Sequence, residues 1–120
     1  MAASASPPSR PAASTRLPGG PPFDRVFQAG SSVANGLVVL RFVPNTLNIT
    51  RWGFAVSRRM APAVVRNRTR RRLRVAIRTA TTSAPVDIVV IARKPALTAS
   101  TAELTTSVVR LLARAMRAQP

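Results

Sequence analysis

The first periodic stretch of the chain starts at Phe23. Phe23, Val26 and Phe27 fall at positions i, i+3 and i+4, which is the spacing of one face of a short helix. Gly30 follows and predicts a left-handed cap that ends this helix. Residues 1–22 are rich in Ala, Ser and Pro and have no apolar period, so they are predicted to be a disordered basic tail. An organelle transit peptide is the alternative interpretation of this acid-free segment.

Two extended segments follow. Residues 33–43 (VANGLVVLRFV) are β-branched and apolar, which predicts a buried strand, and residues 44–46 predict a turn. Residues 48–57 (NITRWGFAVS) alternate as a strand does. One face is predicted core and carries Trp52, Phe54 and Val56. The opposite face carries small residues flanked by arginine, namely Arg51, Gly53, Ala55 and Ser57.

The second half of the chain predicts a helix, a strand and a helix. Pro62 suits the first turn of a helix that extends to about Ala80. Residues 86–92 (VDIVVIA) predict a buried strand, and Ser100 and Glu103 form a capping box that opens the last helix. The core stripes of the two helices are Val65, Leu73, Ala76, Ile77 and Ala80, and then Leu104, Val108, Leu111, Leu112 and Ala115.

The predicted order is a helix, two strands or more, a helix, a strand and a helix, which we write as αβββαβα with three strands before the second helix. This order predicts an α+β fold, a single-domain α/β sandwich over residues 23–118 without internal repeats. A chain of 120 residues is long enough for one domain with a modest core and too short for two.

The charge balance is one-sided. Lys and Arg total 19 against 3 for Asp and Glu, which gives a formal net charge of +16 and a pI near 12.0. Charge at this density indicates a polyanionic partner, either nucleic acid or, less commonly, an anionic membrane surface. No apolar run approaches the roughly 18 residues that a membrane span needs, and no membrane partner is predicted.

Residue types that support catalysis are scarce. The chain has no His, Cys or Tyr, which excludes metal sites built from His or Cys and nucleophile–histidine arrangements. The only carboxylates are Asp24, Asp87 and Glu103, a poor supply for a two-metal nuclease or an acid/base pair. The sequence therefore predicts a protein with no catalytic or metal-binding residues of its own.

Positive charge concentrates in the second predicted helix. Seven of the thirteen residues from Arg66 to Arg78 are arginine. Arg66, Arg70, Arg74 and Arg78 repeat at i, i+4 beside the apolar stripe, and like charges at this spacing destabilise a helix by a few tenths of a kcal/mol per pair. A merely solvated face would be better served by alternating signs. The ridge therefore predicts a bound polyanion.

The face of strand 48–57 that carries small residues has two interpretations. Gly53, Ala55 and Ser57 would let another backbone approach closely, or they would let a helix pack tightly on the sheet. The residues alone leave both interpretations open.

At two neighbouring stretches the sequence resembles the protein subunit of bacterial ribonuclease P. Residues 53–59 (GFAVSRR) and 63–74 (AVVRNRTRRRLR) look like the family's V-S-[KR]-[KR] strand end followed, at the usual spacing, by its arginine-rich R-N-R helix. Residues 23–27 (FDRVF) with 32–35 (SVAN) are similar to its first helix and entry to the sheet. Residues 87–93 (DIVVIAR) are similar to its fourth strand.

The resemblance extends from about Arg16 to Ala115 and has departures. Ala61 stands where a glycine is usual, and Val75 stands where an acidic residue is frequent. Arginine replaces lysine at three signature positions, which keeps the charge: Arg58, Arg59 and Arg70.

The resemblance implies a ribonucleoprotein whose RNA subunit cuts precursor tRNA at the mature 5′ end with Mg²⁺ held mainly by that RNA. The protein would bind the catalytic RNA, one protein per RNA, and the 5′ leader of precursor tRNA in the bacterial cytoplasm. It would raise the affinity for substrate and metal. A left-handed βαβ crossover is also implied by the family alone, since nothing in the spacing indicates it.

The resemblance further implies two RNA-contacting surfaces. The surface for the RNA subunit comprises Arg66, Asn67, Arg68, Arg70, Arg71 and Arg74. The cleft for the leader lies between the first helix and one sheet face and comprises Phe23, Phe27, Arg51, Gly53, Ala55, Ser57, Arg58 and Arg59. Phe23 and Phe27 would stack on bases, at about 1–3 kcal/mol per base, although ordinary core positions are the alternative for both.

Two other functions compete with this interpretation. A ribosomal or other structural RNA-binding protein of the same fold class would lack the joined V-S-R-R and R-N-R pattern. A DNA-compacting basic protein would prefer duplex DNA and would not distinguish precursor from mature tRNA.

Overall fold

The computed structural model describes residues 14–80, 82 and 84–117. The five strands are β1 (Ser14–Arg16), β2 (Ser31–Ala34), β3 (Val38–Pro44), β4 (Thr50–Ala55) and β5 (Val86–Ala92). The three α-helices are α1 (Pro21–Ala29), α2 (Ala63–Ala76) and α3 (Thr101–Arg117), and short 3₁₀ helices cover Ile77–Thr79 and Lys94–Leu97. From α1 onward the order is αβββαβα, which confirms the predicted α+β fold.

The strands form one mixed sheet in the order β1-β4-β5-β3-β2. β3 pairs antiparallel with both β2 and β5, whereas β5 pairs parallel with β4 and β4 pairs parallel with β1. Helix α2 connects the parallel neighbours β4 and β5, so these elements form a βαβ unit. Its left-handed crossover stays a prediction from the family resemblance.

Helices cover both faces of the sheet. The larger core includes Trp52 of β4 and Ile88 of β5, packed with residues of α2 and α3. The smaller core lies on the other face, where Val26 of α1 packs against Val89 of β5. Burial on both faces explains why β5 reads as an almost continuous apolar run. The predicted core face of β4, with Trp52, Phe54 and Val56, belongs to the larger core as expected.

Order begins earlier than the predicted boundary at residue 23. Strand β1 pairs with β4 from Ser14 opposite Thr50 to Arg16 opposite Trp52. The next residue, Leu17, is only 3% exposed and belongs to the smaller core. Three strand residues and one leucine are too few to show a periodic pattern. The strand is stabilised by pairing with the edge of β4, which the local sequence does not reveal. Residues 1–13 of the predicted tail lie outside the described residues.

The single strand predicted over residues 33–43 is a hairpin of β2 and β3. The turn is built by Asn35, whose Oδ1 accepts hydrogen bonds from the N–H groups of Leu37 and Val38 at 2.9 and 3.0 Å. An Asn-Gly pair between apolar residues is a strong hairpin signal. One continuous strand is predicted from the sequence here because the residues on both sides of Asn35 and Gly36 are apolar.

Gly30 ends α1, although not through the predicted left-handed cap. Its φ and ψ are −78° and 153°, which is extended backbone, and its N–H donates to the Val26 carbonyl. A Cβ atom at this position would collide with the Val26 carbonyl oxygen and lie 2.9 Å from the Phe42 carbonyl oxygen. Glycine is therefore required by lack of space between α1 and β3.

Helix α2 ends at Ala76, four residues before the predicted end, and continues as the 3₁₀ turn. Its buried residues are Thr69, Leu73 and Ala76. Thr69 was missed as a core residue, and its hydroxyl is satisfied by donation to the Val65 carbonyl at 2.9 Å.

The predicted capping box of α3 is confirmed. The Ser100 N–H donates to Glu103 Oε1 at 2.9 Å, and the Glu103 N–H donates to Ser100 Oγ at 3.1 Å. The hydrogen bond from the Ser100 backbone lowers the pKa of the Glu103 carboxyl.

Candidate RNA-binding surface

The predicted contact residues of α2 lie on its solvent side. Asn67, Arg68, Arg71 and Arg74 are exposed, and Arg66 and Arg70 are partly exposed. Arg70 Nη1 donates to Asn67 Oδ1 at 2.9 Å, one turn away, so the asparagine orients a guanidinium on the ridge. The helix thus presents cations on every side except the one that packs on the core.

One arginine of this helix has a structural role. Arg72 Nη1 donates to the Ala99 carbonyl at 2.7 Å and its Nη2 donates to the Leu97 carbonyl at 3.2 Å. These bonds join α2 to the segment that enters α3. Arg72 was not among the predicted RNA contacts.

The α2 ridge borders a cavity of about 460 Å³. Arg70, Arg74 and Arg78 line one side of this cavity, and Phe23 and Gly53 line the other. The ridge and the aromatic cleft, predicted as two surfaces, therefore meet in one cavity at the edge of the sheet. Sequence reasoning missed further lining residues, because their contribution depends on the pairing of strand β1 with β4: Thr15, Arg16 and Leu17.

The two phenylalanines of α1 differ in environment. Their ring centroids are 5.2 Å apart. Phe23 is partly buried and packs against the smaller core, whereas Phe27 is 39% exposed. The Arg41 guanidinium carbon lies 5.7 Å from the Phe27 ring centroid, and its Nη2 donates to the Phe27 carbonyl at 2.7 Å. Phe23 is thus largely a packing residue, and Phe27 presents an aromatic surface to solvent.

The face of β4 with small residues is covered by α1 at Gly53 and becomes more exposed toward Ser57. Gly53 is buried, and a Cβ atom there would lie 3.2 Å from Phe23 Cε2 and 3.4 Å from Leu17 Cδ2. Close packing therefore explains this glycine. Ala55 is partly buried beside the smaller core, and Ser57 is exposed beyond the strand end. Arg58 and Arg59 follow Ser57 and are also exposed.

Arg51 was expected in the leader cleft but is engaged by a buried carboxylate. Its Nε donates to Asp87 Oδ1 at 2.8 Å and its Nη2 donates to Asp87 Oδ2 at 2.6 Å. Asn45 Nδ2 donates to the same Asp87 Oδ1 at 2.8 Å. Burial raises the pKa of Asp87, but these hydrogen bonds and the charge of Arg51 together lower it more. The sequence did not indicate this bidentate pair, because the partners lie on different strands.

The carboxylates are dispersed. Asp24 is exposed on α1, Asp87 is fully buried against Arg51, and Glu103 belongs to the α3 capping box. Within the described ranges, no three His, Cys, Asp or Glu residues are grouped as a metal site would require. No helix in that part of the chain is long and apolar enough to cross a membrane.

Comparison with known proteins identifies the family. The family model of ribonuclease P matches residues 12–116. The ribonuclease P protein component of Dehalococcoides mccartyi is 40% identical over 102 residues, which is 85% of each chain. That of Roseiflexus castenholzii is 44% identical over 96 residues, 78% of this chain and 79% of the relative.

Solved structures agree with the sequence relatives. The ribonuclease P protein of Staphylococcus aureus superposes with a TM-score of 0.72 at 30% identity, covering 83% of this chain and 94% of that protein. The ribonuclease P protein of Thermotoga maritima superposes with a TM-score of 0.74 at 28% identity, covering 82% and 96%. The residues matched by the family model include the R-N-R helix, the aromatic pair of α1 and all five strands, and the chain belongs to the ribonuclease P protein family.

Proposed function

We propose that this chain is the protein subunit of a ribonuclease P ribonucleoprotein, an endoribonuclease that removes the 5′ leader from precursor tRNA. The observation that carries the proposal is that Arg70, Arg74 and Arg78 line a cavity at the edge of the sheet, while the Phe27 ring of α1 is exposed to solvent. Guanidinium groups suit the RNA backbone, and aromatic rings suit unpaired bases. A surface that combines both can hold a folded RNA beside a single strand.

The chemistry is assigned to the RNA subunit. Two of the three carboxylates of the chain have other partners, since Asp87 binds Arg51 and Glu103 caps α3. Hard cations such as Mg²⁺ are bound through carboxylate, carbonyl and phosphate oxygens. The catalytic Mg²⁺ would therefore be held mainly by RNA phosphates, while α2 neutralises part of the RNA charge and so raises substrate and metal affinity. We further propose that one protein molecule binds each RNA and that the complex works in the bacterial cytoplasm.

The 5′ leader is proposed to cross the exposed side of α1 and the end of β4. Phe27 offers a stacking surface, and Arg41 holds this residue through the contact with its ring and the hydrogen bond to its carbonyl. Arg58 and Arg59 are exposed where β4 ends and would meet leader phosphates. Arg51 is left out of this path because Asp87 holds its guanidinium.

Reconstitution tests the proposed function. The purified protein is mixed with a bacterial ribonuclease P RNA, and cleavage of precursor tRNA is measured at low Mg²⁺. We expect the RNA alone to cleave slowly, the mixture to cleave faster at the mature 5′ end, and the protein alone to cleave nothing. Cleavage by nuclease-free, RNA-free protein, or no stimulation of the RNA, would refute the assignment.

Phe27→Ala is expected to weaken binding of precursor tRNA by the reconstituted complex. Loss of one stacked base corresponds to about 1–3 kcal/mol, or roughly 5- to 150-fold in Kd. Mature tRNA, which has no leader, should bind as before. Because Phe27 is 39% exposed, the melting temperature of the protein should shift only slightly.

Phe23→Ala is the matched control for packing. Phe23 contacts Gly53 and the smaller core, so its removal should lower the free energy of unfolding clearly more than Phe27→Ala does. If Phe27→Ala instead destabilises the fold as strongly and leaves leader discrimination intact, both phenylalanines are core residues.

A further inference from the structure

A second group of exposed arginines lies on α3, away from the cavity described above. Arg110, Arg114 and Arg117 are spaced at i, i+4 and i+7, which places them on one face of the helix, and all three are exposed. We call these three residues the α3 ridge. Helix α3 packs beside β2 and β3, and β2 is the sheet edge opposite β1. The α3 ridge therefore lies toward the opposite edge of the sheet from the cavity beside α2.

The α3 ridge borders a second cavity, of about 680 Å³, between α3 and the β2–β3 turn. The turn is fixed to the helix, because Asn35 Nδ2 donates to Ser107 Oγ at 2.6 Å. Arg93 Nη1 donates to the Asn35 carbonyl at 2.8 Å, which adds a fourth cation on the far side of the turn. Arg114 Nη2 reaches the Ala34 carbonyl at 3.4 Å. Arg110, Arg114 and Arg117 thus line this cavity, and Arg93 lies beside it at the turn.

Helix stability does not account for this arrangement. Cations in the last turn of a helix are favoured by the macrodipole, which explains Arg114 and Arg117. It does not explain Arg110, which lies further from the helix end, or Arg93 across the turn. Like charges at i, i+4 and i, i+3 destabilise the helix, as on α2.

No carboxylate of the described residues forms an ion pair with the α3 ridge. The one carboxylate on this surface, Glu103, accepts the Ser100 N–H in the capping box. The single ion pair found among residues 14–80, 82 and 84–117 is Arg51 with Asp87, on the sheet. Three arginines against one exposed carboxylate leave the α3 ridge a net cationic surface, which favours a polyanionic partner.

We infer that the α3 ridge is a second RNA-binding surface, which takes the phosphate backbone of an RNA segment other than the segment held by α2. Guanidinium groups donate to phosphate oxygens in pairs, and the three that line this cavity, with Arg93 beside them, can follow a backbone without reading bases. The two surfaces lie toward opposite edges of the same sheet. One protein molecule would therefore hold two RNA segments at a fixed separation.

Native mass spectrometry with a short RNA duplex of one helical turn tests this inference. The duplex fits either surface and needs no catalytic activity, so the result is independent of the proposed function. We expect the wild-type protein to bind two duplexes. The variant R110Q/R114Q/R117Q should bind one duplex through α2. The variant R66Q/R70Q/R74Q should bind its second duplex roughly 100-fold more weakly than wild type and keep one through α3. The variant that combines all six changes should bind both duplexes more weakly than either triple variant binds its remaining one.

The lysine variant R110K/R114K/R117K is the matched control, because it keeps the charge and the helix positions. It should bind two duplexes, whereas loss of binding through misfolding would appear in circular dichroism of the glutamine variant. In a complex with a bacterial ribonuclease P RNA, the glutamine changes should also reduce the slope of log K against log salt by about 2–3. Two duplexes on the glutamine variant, or a wild-type maximum of one, would overturn the inference.

Discussion

Arg51→Ala is expected to lower the free energy of unfolding by about 3 kcal/mol. The substitution leaves the Asp87 carboxylate fully buried without its bidentate partner, and breaking a buried ion pair on one side costs about 3–5 kcal/mol. The low end applies because the Arg51 side chain is 17% exposed, so water can reach part of the site. Urea unfolding at neutral pH measures the effect. Arg58→Ala, an exposed arginine just beyond the end of the same strand, is the control and should change little.

The effect of Arg51→Ala should depend on pH. The folded-state pKa of Asp87 is lowered, so the stability that this pair contributes is present above the unfolded pKa of about 3.9 and is lost as the pH falls through the folded value. Protonation also removes the buried charge that the alanine variant leaves unpaired. The difference between wild type and variant should therefore narrow in acid. Unchanged stability together with weaker precursor binding would instead return Arg51 to the leader cleft.

Removing three cations from α2 should have the largest effect on RNA binding. If Arg66, Arg70 and Arg74 each contact one phosphate, the triple alanine variant loses about 2–3 units of the log–log salt slope. If the variant and the wild type bind equally at about 1 M salt, this loss of slope makes binding of a bacterial ribonuclease P RNA roughly 100-fold weaker at about 0.15 M salt. The fold should persist, because the buried residues of α2 are Thr69, Leu73 and Ala76.

A charge-retaining variant separates electrostatics from helix propensity. Lysine at the same three positions should recover most of the affinity and the salt slope. Arg72→Ala is the opposite control, since it removes the bonds to the Ala99 and Leu97 carbonyls and should cost stability. Binding by the triple alanine variant that equals wild type would place the RNA subunit elsewhere on the protein.

Periodicity predicted the elements whose stability comes from one amphipathic face. The stripe of α3, its capping box and the alternation around Trp52 are all properties of neighbouring residues, and the structure has them where expected. The features that were missed depend on residues far apart in the chain. Strand β1 exists because β4 offers an edge, and Arg51 pairs with Asp87 because β4 and β5 are neighbours.

The candidate site divides in the same way. The positive ridge of α2 could be predicted because i, i+4 spacing fixes which side chains share a face. The joining of that ridge to Phe23 in one cavity could not be predicted, since it requires the position of β1 and of the turn that carries Arg78. The different exposures of Phe23 and Phe27 likewise follow from how α1 lies over Gly53.

The central position of β5 has a consequence for synthesis of the chain. β3 and β4 are consecutive in sequence, yet they are not neighbours in the sheet, because β5 lies between them. Until residues 86–92 leave the ribosome, the inner edges of both strands have no partner and their apolar faces have no complete core. A nascent chain that ends before β5 should therefore stay unfolded and bind chaperones, and protease resistance should appear only in chains long enough to expose the whole of β5.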